Sequence, residues 1–219
     1  CLGVALGANA QSFKNAKESK YNFKQVQRLA ASPVESQGRT GTCWSFSALS
    51  FLESEIMRIK KSDDPIVLSE MFIVRKAYEE KAKKYVRMDG RTNFGEGGAF
   101  HDIPFVIKNF GIVPRSVYSG LKKRKDVYNH GRMFNRLDSI VQQANLSGKG
   151  IQAEWLAAYN AELDNGIGVL PTNFKYKGSN YTPQTFYNSL GIDMNNYVSL
   201  TSFTNHQMYQ KCMLQIPDN

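Results

Sequence analysis

The chain has 219 residues, 42% apolar and 12% aromatic, which suits one large or two small globular domains. It holds no run of the ~20 apolar residues that a membrane span needs, and no repeat of ~20–50 residues that would mark a solenoid. The formal charge is +9, from 28 Lys and Arg against 19 Asp and Glu. The charges do not form one stripe, so a nucleic-acid surface is not expected; the runs at 122–125 and 81–84 read as a solvated loop and a solvated helix face.

The first ten residues, CLGVALGANA, are apolar and uncharged, and Ala8-Asn9-Ala10 fits the small-x-small rule for signal peptidase with Gln11 as the mature start. Residues 1–10 are therefore expected to be the end of a signal peptide, and the protein to be exported to the periplasm or the exterior. A lipidated Cys1 is the rival reading, weakened by the apolar Leu-Gly-Val-Ala-Leu that follows it. Residues 11–31 are polar and basic and read as an extended lead-in.

Residues 43–60 read as a helix, with the apolar period beginning at Phe46. Phe46, Leu49, Leu52, Ile56 and Ile59 recur at three- and four-residue steps through 43–60, with Glu53, Glu55, Arg58 and Lys60 facing away. Thr42 is an acceptable cap for that helix, and Ser69 caps the next, which turns Met71, Val74, Tyr78, Ala82 and Tyr85 inward. The stretch MDGRTNFGEGG is a glycine-rich loop. A third helix over 101–110 buries Ile103, Val106, Ile107 and Phe110, tolerates Pro104 in its first turn and stops at Gly111.

Further on, Met133, Leu137, Ile140, Val141 and Ala144 predict a helix, as do Trp155, Ala158, Tyr159 and Leu163. Polar loops are expected at 120–131, 145–150 and 171–182. Thr182-Pro183 reads as a cap and first-turn proline for a short helix carrying Phe186 and Leu190. The alternations from Val198 and from Lys211 predict strands, with Cys212 in the core; Cys43 and Cys212 could form one disulfide, but nothing in their spacing argues for it.

Cys43 raises the question of chemistry. The thiolate, not the thiol, attacks carbonyls, and a free thiol has a pKa near ~8.5, so a nucleophilic cysteine needs help. A helix N-terminus is one such help and a histidine is another. Cys43 has the first by position. An amide under attack also needs donors for the developing oxyanion. Gln37 lies six residues earlier, and the Gly38-to-Thr42 turn can bring its side-chain amide to the Cys43 N–H.

The segment PVESQGRTGTCWSFSAL resembles the active-site segment of papain-like cysteine peptidases: Gln, five residues, then Cys-Trp-x-Phe-Ser. The resemblance implies that Cys43 is the nucleophile, Gln37 the oxyanion-hole side chain and Trp44 an aromatic lining the cleft. It extends to LSE at 68–70 and to GEGGAF at 95–100, where Gly97 and Gly98 resemble the paired glycines that hydrogen-bond an extended substrate. Papain has a disulfide between these two loops; the matching positions here are Thr40 and Gly95. That departure, with GRTGTCW and GEGG, is more similar to the bleomycin hydrolase and aminopeptidase C branch, which carries helical insertions after the position of Tyr118.

The resemblance implies an α+β fold with a mainly helical left domain at 11–118, and helical insertion plus the truncated start of a β-barrel right domain at 119–219. It implies a peptide or protein substrate, no cofactor and no metal, and leaves oligomeric state open. The family's catalytic histidine opens a strand of small residues, and an Asn-Ser-Trp motif follows it. His101, His130 and His206 do not match that pattern, so the histidine and asparagine are expected beyond Asn219. An inactive peptide-binding homologue is the alternative to a peptidase.

Overall fold

The computed structural model describes residues 17–21, 23–24, 26–123, 126–198, 200 and 207–212. The signal-peptide reading, His206 and most of the two late strands lie outside them. The chain divides into two units, Cys1–Ala30 and Ala31–Asn219. In the first, the described residues carry no helix or strand, as the lead-in reading expects, and Tyr21, Phe23, Val26 and Leu29 are exposed.

The second unit is built on helices. α1 (Cys43–Lys60) buries Leu49, Leu52 and Ile56 and ends where Lys61 takes a left-handed conformation. α2 (Glu70–Arg87) is the central element, with thirteen of its eighteen residues buried. Its N-terminus is held twice: Ser69 Oγ accepts from Phe72 N at 3.1 Å, and Ser69 N donates to Val113 O at 2.9 Å. A side-chain cap of this kind is worth ~1 kcal/mol. α3 (Asp102–Phe110) stops at Gly111, whose φ of 77° suits glycine and whose Cα lies so close to the Pro183 carbonyl that a Cβ would meet its carbon at 2.3 Å.

α4 (Gly131–Leu146) and α5 (Ala153–Ile167) pack on each other and on α2. Gly166 permits the close approach, since a Cβ there would overlap the Met133 sulfur. Leu137, Val141, Tyr159 and Leu163 are fully buried between them. A hairpin follows, β1 (Phe174–Tyr176) antiparallel to β2 (Ser179–Tyr181), and packs its Phe174, Tyr176 and Tyr181 rings around Phe186 of α6 (Pro183–Ser189). A short 3-10 turn at Met194–Asn196 is the last regular element among the described residues.

Several expectations need correcting. Glu53 was expected to face solvent, but it is 3% exposed because its Oε1 accepts from Leu68 N at 2.7 Å, tying α1 to the start of α2. Ile59 and Ala158, expected inward, are exposed, since each lies at a helix position that no other element covers. Lys81 and Lys84 are not a solvated face: both are buried, and Lys81 Nζ donates to the Gly97 carbonyl of the glycine loop folded over it. The polar 171–182 stretch contains the hairpin, whose turn residues Lys177 and Gly178 both have positive φ. That is the geometry of a type I′ turn, here with lysine where Asn or Asp is the usual signal. Cys212 is exposed rather than core, and its neighbours Met208 and Tyr209 are exposed with it. Val198 and Leu200 are also exposed and belong to no strand.

Candidate active site

Cys43 is the first residue of α1 and is exposed. Thr42 occupies the cap position, and its carbonyl accepts from Ser45 N at 3.0 Å. The Thr42 side chain does not cap, however; it shares a hydrogen bond with Thr40 Oγ1 at 2.5 Å. Since Thr40 Oγ1 already donates to Gln37 O at 2.9 Å, Thr42 is the donor to Thr40. The hydroxyls are therefore spent on folding the turn, and no side chain caps the N-terminus of α1 beside Cys43. Ser45 Oγ donates to Glu70 O at 3.0 Å and fixes this end of α1 to α2.

Gln37 is half-buried and its Nε2 donates to Thr40 O at 2.5 Å. A carbonyl partner decides which way the amide points, because only the NH2 end can donate to it. The turn is braced from the other side by residues 127–130. Arg39 N donates to Tyr128 O at 2.8 Å, and Gly38, with φ of 63°, lies so close that a Cβ would fall 2.5 Å from the same oxygen. Tyr128 is itself anchored, its hydroxyl donating to Ser119 O at 2.7 Å.

The glycine loop meets the nucleophile turn at Glu96. Gly41 N donates to Glu96 Oε2 at 2.5 Å, and Trp44 Nε1 donates to Glu96 O at 3.0 Å. These bonds join the two segments whose disulfide positions in papain correspond to Thr40 and Gly95. Just before them Phe94 stacks on Phe134 with centroids 5.2 Å apart, so the loop is rooted in the aromatic core. Trp44 is 6% exposed and lies directly under Gly98, while Gly97 is exposed. Lys81 Nζ is 5.6 Å from the centre of the Trp44 ring, close enough for a cation–π attraction. Asp102 is buried and its Oδ2 accepts from Ala99 N at 3.1 Å, closing the loop onto α3.

All five residues singled out in the sequence thus lie on the start of α1 or on the two loops that meet there. Glu96, Lys81 and Tyr128 were not found by sequence reasoning. A charged residue inside a glycine run was the signal available for Glu96.

Among the described residues burial strongly perturbs several ionisable groups, Glu70 and His130 among them. Burial pushes Glu70 up to about 7, against the opposing pull of Arg115, whose Nη1 lies 3.1 Å from Glu70 Oε1 and 2.9 Å from Glu35 Oε2. Burial lowers His130 to about 4; it is 2% exposed, with Nδ1 3.4 Å from the Tyr78 hydroxyl. Among the described residues there is no group of three or more His, Cys, Asp or Glu that could hold a metal ion, and no helix is long and apolar enough to cross a membrane.

A helical body presenting an exposed cysteine at a helix start, beside a glutamine turn and a glycine loop, is a fragment of the papain-like fold. Residues 18–126 match the papain family cysteine protease family, and the chain belongs to that family. It is similar to aminopeptidase C from Lactococcus lactis subsp. cremoris, at 27% identity over 203 residues that cover 78% of this chain and 46% of the relative. Aminopeptidase C from Lactobacillus delbrueckii subsp. lactis is 24% identical over 206 residues, covering 76% and 45%. The oryzain beta chain of Oryza sativa subsp. japonica is 30% identical over 118 residues, covering 49% of this chain and 23% of its own. The crystal structure of PepW from Lactobacillus rhamnosis shares the fold, with a TM-score of 0.56 at 21% identity over 77% of this chain and 46% of that one. The chain spans about half the length of the aminopeptidase C relatives it matches.

Proposed function

We propose that the protein hydrolyses peptide bonds through an acyl-enzyme on Cys43, with the aminopeptidase type of action named by its aminopeptidase C relatives. The observation that carries this reading is the exposed Cys43 as first residue of α1, joined to Gln37 by one hydrogen-bonded turn. An anion on Sγ stands at the positive end of the helix dipole. The sulfur attacks the carbonyl carbon of a peptide bond, and the oxygen takes the negative charge. The Cys43 N–H and the second hydrogen of Gln37 Nε2, the first being spent on Thr40, are the donors for that oxygen.

The tetrahedral adduct collapses with cleavage of the C–N bond, and an imidazolium protonates the departing amine. Water then attacks the thioester, returning the proton to the imidazole and freeing the sulfur. His130 is buried against Tyr78, and His101 is the N-cap residue of α3, a position to which the family resemblance gives no catalytic role; the imidazole is assigned to a part of the protein outside the described residues. Gly97 and Gly98 are assigned to backbone hydrogen bonding of an extended peptide substrate, with Trp44 supporting them from beneath. The apolar leader with Ala8-Asn9-Ala10 supports export as the setting.

The test is turnover of aminoacyl-anilides by the protein as its gene encodes it. Cys43→Ala is expected to abolish both turnover and labelling by a peptidyl epoxide, while Cys212→Ala keeps both. Labelling that persists in Cys43→Ala and disappears in Cys212→Ala would overturn the assignment. Peptide binding without turnover would instead support a non-catalytic homologue.

A further inference from the structure

We propose that Glu96 is a positioning residue for the Gln37 carboxamide, acting through the single peptide unit that joins Thr40 to Gly41. The inference deepens the peptidase reading above and rests on it. The N–H of that unit, on Gly41, donates to Glu96 Oε2 at 2.5 Å; its C=O, on Thr40, accepts from Gln37 Nε2 at 2.5 Å. A trans peptide is planar, and its N–H and C=O point in opposite directions. The Glu96 carboxylate and the Gln37 carboxamide therefore grip opposite edges of one rigid plate. If the plate turns about its Cα–Cα axis, both bonds are lost together.

The pairing also has an electronic side. Hydrogen bonds to a carboxylate are roughly twice as strong as neutral ones, and bonds in series polarise one another. An N–H held by Glu96 makes the Thr40 oxygen a better acceptor, which tightens its hold on Gln37. That hold selects the orientation in which the remaining Nε2 hydrogen is available to an oxyanion.

Glu96 is itself fixed. Its carbonyl accepts from the buried Trp44 indole at 3.0 Å, and the next carbonyl, on Gly97, accepts from Lys81 Nζ. Gly41 is required for the contact, since a Cβ there would lie 2.8 Å from Glu96 Cβ. The result is a non-covalent link between the two loops, made from one carboxylate and independent of redox conditions.

The experiment compares Glu96→Ala and Glu96→Gln in the protein as its gene encodes it. Glu96→Ala is expected to lower kcat on an aminoacyl-anilide about 10–100-fold, somewhat less than outright removal of an oxyanion donor, with KM within about threefold. Glu96→Gln still presents an oxygen to Gly41 N–H and is expected to recover most of the loss. In isotope-labelled protein, Glu96→Ala should move the Gly41 amide and the Gln37 side-chain NH2 resonances together, and Glu96→Gln should restore both. Unchanged kcat in Glu96→Ala, or a Gly41 shift with the Gln37 resonances unmoved, would overturn the proposal. A parent protein without turnover counts against the peptidase reading, and the coupled resonances then decide whether Glu96 positions Gln37.

Discussion

Gly98 lies flat against the indole of Trp44, so close that a Cβ would stand 2.6 Å from Cε2 and 2.9 Å from Asp102 Oδ2. The aromatic that follows the nucleophile in sequence therefore serves as a floor for the glycine loop. Gly98→Ala is expected to destabilise the protein by about 1–3 kcal/mol, the usual cost of overpacking, in urea unfolding followed by tryptophan fluorescence. Gly95→Ala, where a Cβ meets nothing within 4 Å, should fall within about 0.5 kcal/mol of the parent. Equal effects at the two glycines would show that the indole contact does not constrain the loop.

Glu70 faces Arg115, Glu53 and Glu35, and desolvation holds its carboxyl near 7 instead of 4.5. Below about pH 4.5 the group is neutral folded or unfolded and costs nothing; above about 7 the folded state carries the full burial cost of the charge. Its contribution to stability thus falls as pH rises between those values, by about 3 kcal/mol for a shift of this size. Glu70→Gln removes the charge and keeps an acceptor for Arg115. Urea unfolding should show the variant gaining on the parent between pH 5 and 8. A difference that stays flat across that range would exclude burial as the dominant cause.

His130 has the opposite slope. Its folded value near 4 lies below the ordinary 6.5, so the unfolded chain takes up a proton first as pH falls through that window. Stability from the buried neutral imidazole is complete above about 6.5 and is lost towards 4. His130→Gln should remove that acid-side loss, so the variant gains on the parent as pH falls from about 6.5 towards 4. The windows of Glu70 and His130 overlap with opposite signs, so the parent protein should show a shallower pH profile than either single variant. A parent profile as steep as one of the variants' would show that one of the two shifts is absent.

Thr182 and Thr185 form a reciprocal capping box at the start of α6, with Thr185 N donating to Thr182 Oγ1 at 3.2 Å and Thr182 N to Thr185 Oγ1 at 2.8 Å. The helix they start seats Phe186, which is 1% exposed, inside the hairpin's aromatic ring cluster. Thr182→Ala should cost about 1 kcal/mol by thermal or urea unfolding, and Thr182→Ser very little. An unchanged stability for Thr182→Ala would show that Pro183 and the packing of Phe186 are enough to start α6.

The helices were legible because each carries its own periodic apolar face and its own stop or start: Ser69 before α2, Gly111 after α3, Thr182-Pro183 before α6. The hairpin was not, because Lys177-Gly178 lacks the usual turn signal and its strands are three residues each. Glu53 and Lys81 were misread for a related reason. A charged residue at a helix position reads as solvated unless something elsewhere in the chain reaches it, and here Leu68 N and the Gly97 carbonyl do.

The order of residues around Cys43 was enough to determine the helix it opens, the glutamine ahead of it and the family resemblance, since spacing along one turn is a local property. The meeting of that turn with Glu96, the indole beneath Gly98 and the brace from Tyr128 was decided only in three dimensions. Those contacts join residues about fifty to ninety positions apart. Nothing in local propensity encodes them; they exist because α2 and the aromatic core bring separate loops to one place.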